Sequence, residues 1–166
     1  MGSDGDLSVM AECVKVLESY SVAYDVRVLS AHRSPEQATR FARDAEGRGF
    51  RVVVAGAGGA AHLAGVVAAY TLLPVIGVPL ASSPLSGFDA LLSTVQMPSG
   101  VPVATVGVGA MGAANAGHLA VAILALHDAA LRRRLVERRK DMTAAVLAKS
   151  KGLPRRLREI LGPRRA

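Results

Sequence analysis

Apolar residues along this chain fall into two patterns, short β-branched runs and longer stretches with helical spacing. The short runs predict strands at 24–29, 51–55, 74–78 and 102–107. Helical spacing predicts helices at 6–21, 34–47, 60–69, 87–94, about 110–127 and 128–148. Ser34 is expected to cap the second helix, with Pro35 at its first position. Because strands alternate with helices, the pattern predicts an α/β fold with a doubly wound parallel sheet in three αβα layers.

The middle of the chain is unusually poor in charge. Between positions 52 and 127 the only formally charged residue is Asp89. Prolines and glycines divide this stretch into pieces shorter than the roughly 20 residues of a membrane-spanning helix, so no membrane segment is predicted. The helices at 60–70 and 113–126 lack a polar face, and we expect another copy of the chain to cover them. The pattern therefore predicts a homo-oligomer with a large apolar interface.

The net charge of +7 is concentrated at one end. Residues 150–166 contain six basic side chains against one acidic, a balance of +5 that leaves +2 for the rest. This distribution predicts one domain over 1–148 and a solvated basic tail over 149–166, with no nucleic-acid partner. We expect the tail to lack a long apolar face, so that removal of 151–166 would change neither assembly nor activity.

Cys13 is the only cysteine, and it lies within an apolar helical stripe. A disulfide framework is therefore excluded, and the pattern favours a buried, unreactive thiol. A reducing, cytoplasmic location fits this usage, and the start of the chain does not have the pattern of a signal peptide.

Three loops carry small and polar residues suited to binding a phosphate. They lie at 1–6 before the first helix, at 30–35, and at 55–62. Small residues let backbone N–H groups approach an anion, helix N-termini add a positive dipole, and Arg33 offers a planar fork for phosphate oxygens. Because ligands of such sheets bind beyond the carboxyl ends of the strands, we expect the three loops to form one site.

The chain resembles the class I N5-carboxyaminoimidazole ribonucleotide mutases of bacterial purine synthesis at four motifs. These are SAHRSP at 30–35, AGAGGAAHLAG at 55–65, VQMPSGVPV at 95–103 and GAANA at 112–116. The resemblance runs from residue 1 to about 147. It implies a flavodoxin-like fold, a homo-octamer with the C-terminal helix reaching a neighbouring subunit, a small ribonucleotide substrate, and no cofactor.

The resemblance also implies roles for individual residues. His32 would be the general acid/base, since one imidazole can protonate the departing carbamate nitrogen and later take the proton from the ring carbon. His62 could line the pocket or cap the next helix, and both readings stay open. His118 and His127 lie on a helix without a second ligand at metal spacing, so no metal site is predicted. The residues implied in substrate binding are Ser3, Asp6, Ser30, Arg33, Gly58, Gly59 and His62.

Other functions remain as alternatives. The nearest is direct carboxylation of aminoimidazole ribonucleotide, by a related class with a different loop in place of AGAGGAAHL. A carboxylase-like enzyme of nickel-pincer cofactor synthesis shares the core fold but normally carries an extra N-terminal domain. A non-catalytic nucleotide-binding module would keep the phosphate loops without needing His32, and a purely structural oligomer would need no polar loops.

The chain departs from the family pattern near its start. Gly5 stands where the GSxSD motif of the family has serine, which removes one hydroxyl from the phosphate region. The strand that normally precedes this motif is missing from the sequence. We expect an apolar segment of about five to eight residues upstream of Met1, because a central slot without a strand would leave many backbone groups unpaired.

Overall fold

The computed structural model describes residues 1–162, and in this range the sheet has three parallel strands. They are β1 (Val53–Gly58), β2 (Val75–Leu80) and β3 (Ala104–Thr105), in the order β1-β2-β3. Every residue of β2 is buried, as expected for a central strand covered on both faces. The register pairs Val53 with Val75 and Gly58 with Leu80, so β1 and β2 end together.

Helices connect and flank these strands, which confirms the predicted α/β class. A short 3₁₀ turn, Asp4–Asp6, leads into the first α-helix. The α-helices are α1 (Leu7–Ser19), α2 (Pro35–Asp44), α3 (Leu63–Tyr70), α4 (Phe88–Val95), α5 (Gly109–Leu124) and α6 (Ala129–Leu161).

The helices form two layers, one on each face of the sheet. On one face α2, α3 and α4 pack against β1 through small residues such as Ala38, Ala64 and Ala90. On the other face Met10 and Cys13 of α1 pack with α5 against the even-numbered residues of β2, Ile76, Val78 and Leu80. Burial raises the pKa of the Cys13 thiol to about 11, so it is neutral and unreactive at physiological pH. The three-layer arrangement and the buried cysteine agree with the sequence analysis.

The segment at 24–29 is not a strand, contrary to prediction. Among the described residues, only Met1 and Gly2 lie between it and β1. The Met1 amine donates to the Arg27 carbonyl (2.9 Å), the Leu29 N–H donates to the Met1 carbonyl (2.8 Å), and the Gly2 N–H donates to the Gly56 carbonyl (3.2 Å). A β-branched run forms a strand only where a partner strand supplies a ladder of such bonds, and here two residues supply too few.

Strand ends also differ from the sequence pattern. β1 continues to Gly58 and so includes half of the glycine-rich loop, because its backbone pairs with β2 to that point. β3 contains only Ala104 and Thr105, since pairing with β2 is limited to two residues. Side-chain patterns cannot locate such ends, which depend on where the neighbouring backbone lies.

The last helix is longer than predicted and crosses the expected boundary between domain and tail. Its Asp128 side chain caps it by accepting the N–H groups of Ala130 and Leu131 at 2.8 and 2.9 Å. The Arg134 guanidinium donates to the Tyr20 carbonyl at the end of α1, and Leu131 is buried beside Tyr20. α6 is therefore anchored at its start, while all of its residues from 141 onward except Gly152 are exposed. The tail residues 163–166 lie outside the described range.

An apolar stripe runs along α6 into the tail. Its members recur at intervals of three, four or seven residues, which is the spacing of one helix face. They are Leu131, Leu135, Met142, Val146, Leu153, Leu157 and Ile160. The expectation that the tail lacks an apolar face is therefore wrong. The expectation rested on the composition of the tail, in which basic residues dominate. Because α6 is continuous, however, Leu153, Leu157 and Ile160 of the tail lie on the same helix face as the apolar side chains of the domain.

None of the helices in the described part of the chain is both long enough and apolar enough to span a bilayer.

Close backbone contacts require glycine at Gly112, and this generates a stability prediction. A Cβ at Gly112 would overlap the Gly107 carbonyl oxygen and approach the Gly107 Cα to 3.3 Å, so Gly112→Ala should destabilise the protein by about 1–3 kcal/mol. Gly152 in α6 has no atom within 4 Å of the same position, so Gly152→Ala should stabilise by up to about 1 kcal/mol. Urea denaturation of both variants tests the pair, and equal midpoints would contradict the packing described.

Candidate active site

The loop between the 24–29 segment and α2 is ordered by its own serines. The Ser30 hydroxyl accepts the N–H groups of His32 (3.3 Å) and Arg33 (3.1 Å). Ser34 occupies the N-cap position of α2 without capping it, because its hydroxyl accepts the Ser30 N–H at 2.9 Å and donates to the Ser30 carbonyl at 3.2 Å. The predicted helix start is correct, but these bonds bend the loop so that His32 and Arg33 are both exposed.

The loop before α1 is closed by a capping box. The Ser3 hydroxyl accepts the Gly5 N–H at 3.3 Å, and the Asp6 carboxylate accepts the Ser3 N–H at 3.0 Å. Asp4 accepts the Gly5 N–H as well, at 3.0 Å. These bonds satisfy backbone donors at the helix start and hold Ser3 and Asp6 against each other.

The glycine loop leaves the end of β1 and turns sharply. Gly59 and Ala61 both have positive φ values, of 58° and 44°, and the Ala61 N–H donates to the Gly58 carbonyl at 3.1 Å. Glycine adopts such angles without strain, which explains its presence at Gly59. The turn delivers His62 to the start of α3 at the same sheet edge as the other loops.

Two histidines from different loops meet at this edge. His32 Nε2 lies 2.7 Å from His62 Nδ1, and the two rings are nearly perpendicular with centroids 4.9 Å apart. At that distance one nitrogen donates a proton and the other accepts it. His62 holds the N-cap position of α3 but makes no capping bond, and its ring contacts His32 instead.

Arg33 links two of the loops. Its guanidinium Nη2 donates to the Gly2 carbonyl at 3.0 Å, across 31 positions of sequence. Gly2 in turn donates to the Gly56 carbonyl of β1. The three predicted loops are therefore connected by hydrogen bonds at one edge of the sheet.

The structure does not bring all predicted site residues into direct contact. His32, His62, Arg33 and Ser30 interact with one another or with another loop, whereas the side chains of Ser3 and Asp6 bond only within their own loop. Gly58 and Gly59 shape the turn.

Comparison with known proteins assigns the family. The sequence pattern of the AIR carboxylase family matches residues 1–145. This chain belongs to the AIR carboxylase family. The match covers the three loops, all three strands and helices α1 to α5, and it ends inside α6.

Relatives within the AIR carboxylase family are similar over most of their length. A protein of Pyrococcus abyssi is 56% identical over 142 residues, which are 86% of this chain and 80% of that protein. One of Escherichia coli K12 is 51% identical over 147 residues, 89% of this chain and 87% of the relative. Both are named N5-carboxyaminoimidazole ribonucleotide mutase.

A crystal structure with a similar fold is that of PurE from Treponema denticola. It superposes with a TM-score of 0.81, covering 92% of this chain and 94% of that chain at 24% identity. This agreement confirms the flavodoxin-like type of fold expected from the sequence.

One titratable group of this AIR carboxylase homologue, His118, lies away from the loops. His118 is half-buried between α5 and α6, where its ring meets Tyr20 edge-on. Burial lowers the pKa of His118, and the nearby positive charges of Arg138 and Arg139 lower it further. Within residues 1–162, no three His, Cys, Asp or Glu side chains cluster closely enough to hold a metal ion.

Sequence reasoning missed one residue at this edge, Ser82. A Cβ at Gly58 would overlap the Ser82 hydroxyl oxygen and lie 2.9 Å from the Ser82 Cβ. The register Gly58↔Leu80 places Ser82 two residues beyond the last paired residue of β2. The sequence does show a glycine, Gly58, near the end of a predicted strand and a serine-rich loop after the next strand. Only the pairing of β1 with β2 shows which serine of that loop faces Gly58.

Proposed function

We propose that this protein converts N5-carboxyaminoimidazole ribonucleotide into 4-carboxyaminoimidazole ribonucleotide, as an isomerase of purine synthesis. The observation that carries the proposal is the His32–His62 contact of 2.7 Å beside Arg33, at the edge where the three loops meet. Such a pair can hold and pass one proton, and the reaction needs one proton moved and returned. The names of relatives about 50% identical support the same substrate.

The proposed reaction needs one group that gives and then takes a proton. Protonated His32 donates to the carbamate nitrogen, the bond from this nitrogen to the carboxyl carbon breaks, and carbon dioxide is freed. Carbon 4 of the ring then attacks carbon dioxide and forms the new carbon–carbon bond. Neutral His32 takes the proton that carbon 4 loses, so atoms, electrons and charge balance and the histidine returns to its starting state.

His62 is proposed to position His32 and to share its proton. When His32 Nε2 carries a proton, His62 Nδ1 accepts it in a hydrogen bond, which fixes the ring of His32. When the substrate approaches, the same proton can turn from His62 to the carbamate. In this proposal the proton stays on the His32–His62 pair beside the substrate and need not come from solvent.

Arg33 and the loop before α1 are proposed to bind the phosphate. The guanidinium already spans from the SAHRSP loop to Gly2, and Ser3 presents a hydroxyl in the same loop. Gly5 replaces the usual serine, and its N–H is already engaged by Ser3 and Asp4, so Arg33 would carry more of the phosphate binding. Ser30, Asp6, Gly58 and Gly59 complete the proposed binding set by holding these loops in shape.

Direct carboxylation of aminoimidazole ribonucleotide is the main alternative, and the two reactions are separable in one assay. The protein is incubated with N5-carboxyaminoimidazole ribonucleotide, and separately with aminoimidazole ribonucleotide and bicarbonate, and the product is followed by chromatography. We expect rapid turnover of the first substrate alone. Equal or faster turnover of the second mixture would select the carboxylase.

In the same assay His32→Asn should lower turnover by about a hundredfold or more, since a general acid/base is lost, while the circular dichroism spectrum stays unchanged. His127 provides a matched control because it is exposed beyond the end of α5. His127→Asn should retain full turnover. Comparable activity in the two variants would sink the role proposed for His32.

Arg33→Ala should weaken the binding of substrate and product alike, by about 1.5–3 kcal/mol, the range for a charge-assisted hydrogen bond. Isothermal titration with the product measures this directly. Arg40 is an exposed arginine of α2 and serves as the control, since Arg40→Ala removes an equal charge outside the loops. Equal affinity of the Arg33→Ala and wild-type proteins would show that Arg33 does not bind the phosphate.

We further propose that the chain assembles as a homo-oligomer, with an octamer implied by the family resemblance, and that α6 packs on a neighbouring subunit. Large apolar side chains are exposed on α4 and α5, including Phe88 at 70% and Met111 at 77%. The distal stripe of α6 is equally uncovered, with Ile160 at 80%. Contact with other copies would remove these surfaces from water.

Removal of 151–166 should therefore shift the assembly toward smaller species, because Leu153, Leu157 and Ile160 are lost from the stripe. Light scattering coupled to size exclusion measures the change. A triple variant, Lys151→Gln with Arg155→Gln and Arg158→Gln, is the control, since it removes charge and keeps the stripe. An unchanged number of subunits after truncation would restore the original expectation of a dispensable tail.

A further inference from the structure

We propose that Ser82 is a further substrate-binding residue, whose hydroxyl binds the migrating carboxyl group and keeps freed carbon dioxide beside the ring. This inference rests on the proposed function and adds to it the contact that retains the carbon dioxide.

The position of Ser82 follows from the two-residue period of the strands. Side chains of alternate residues point to the same face, and a Cβ at Gly56 would run into the Met10 side chain of α1. Gly58 is two residues further along β1 and so points to the same face, where a Cβ would run into Ser82. Ser82 therefore lies on the side of the sheet that carries α1 and the loop before it.

The missing side chain of Gly58 makes room for the Ser82 hydroxyl. This hydroxyl lies over Gly58, the last residue of β1, in space that the Cβ of any other residue type at position 58 would fill. The Gly58 carbonyl begins the turn that leads, through Ala61, to His62. The hydroxyl therefore lies over the end of β1, where the turn that leads to His62 begins.

Within residues 1–162, the Ser82 side chain makes no hydrogen bond, and the residue is exposed. Its neighbour differs: the Ser83 hydroxyl accepts the Leu85 N–H at 3.2 Å and so shapes the loop itself. The hydroxyl of Ser82 is free to donate to a ligand, while that of Ser83 is engaged in the turn.

A neutral donor suits a group that changes from carbamate to carbon dioxide to carboxylate. A cationic side chain would bind the charged carbamate and carboxylate much more tightly than the neutral intermediate, and would hinder both release and recapture. A hydroxyl has a weaker preference between these states. None of the residues 80–88 is formally charged, so the β2 loop itself offers only neutral groups.

The test measures retention of the carboxyl carbon. N5-Carboxyaminoimidazole ribonucleotide labelled with ¹³C in its carboxyl group is converted in unlabelled bicarbonate buffer, and mass spectrometry gives the labelled fraction of the product. Ser82→Ala should raise the ratio of lost to retained label about two- to tenfold, as expected for one neutral hydrogen bond. Ser83→Ala disturbs the same loop without removing the proposed contact, so it should retain label as the wild type does.

Gly58→Ala provides an independent variant, because its Cβ displaces the Ser82 side chain. It should lose label to the same extent as Ser82→Ala, and the double variant should lose no more than either single one. Wild-type retention in Ser82→Ala, or equal loss in Ser83→Ala, would overturn the assignment of Ser82 while leaving the proposed reaction intact. Absence of product from the wild-type protein would instead overturn the proposed function and this inference with it.

Discussion

The site depends on the parallel pairing of β1 with β2. It also depends on glycine at the two positions of β1 where other side chains pack closely against the strand. The two strands end together at Gly58 and Leu80, so the loops that leave them start at the same level. Gly56 admits Met10 of α1, and Gly58 admits Ser82. A larger residue at either position would push a helix or a loop away from the sheet edge, and the site would open.

Hydrogen bonds then connect the loops across long sequence distances. Arg33 reaches Gly2, Gly2 reaches Gly56, and His32 reaches His62. Each hydrogen bond alone contributes little free energy. Each one, however, holds a loop whose conformation is already restricted by internal hydrogen bonds, such as those of Ser30. The result is a sheet edge at which His32 and His62, the proposed acid/base pair, are held together before any substrate arrives. Such preorganisation is what a proton shuttle needs, because a displaced imidazole transfers protons poorly.

Charge is separated from this chemistry along the chain. The β2 and β3 region is nearly free of charged residues, while α6 carries eleven of the 20 lysines and arginines. A basic helix with an apolar stripe favours contact with another surface. The loop edge is thus distinct from the outward helix α6, which Arg134 and Leu131 anchor beside Tyr20 at the other end of α1.

The amino-acid sequence by itself determined the fold class, the helices, the three loops and the candidate roles of His32 and Arg33. The elements and the loops follow from local periodicity, and the role of His32 is what the family resemblance of contiguous motifs implies, so neither needs knowledge of distant neighbours. Tertiary structure alone decided that 24–29 does not pair as a strand, that His62 faces His32 rather than capping α3, and that Ser82 rather than Ser83 stands over Gly58. Each of these depends on which backbone lies beside a given residue, and residues far apart in sequence acquire that relation only when the sheet forms.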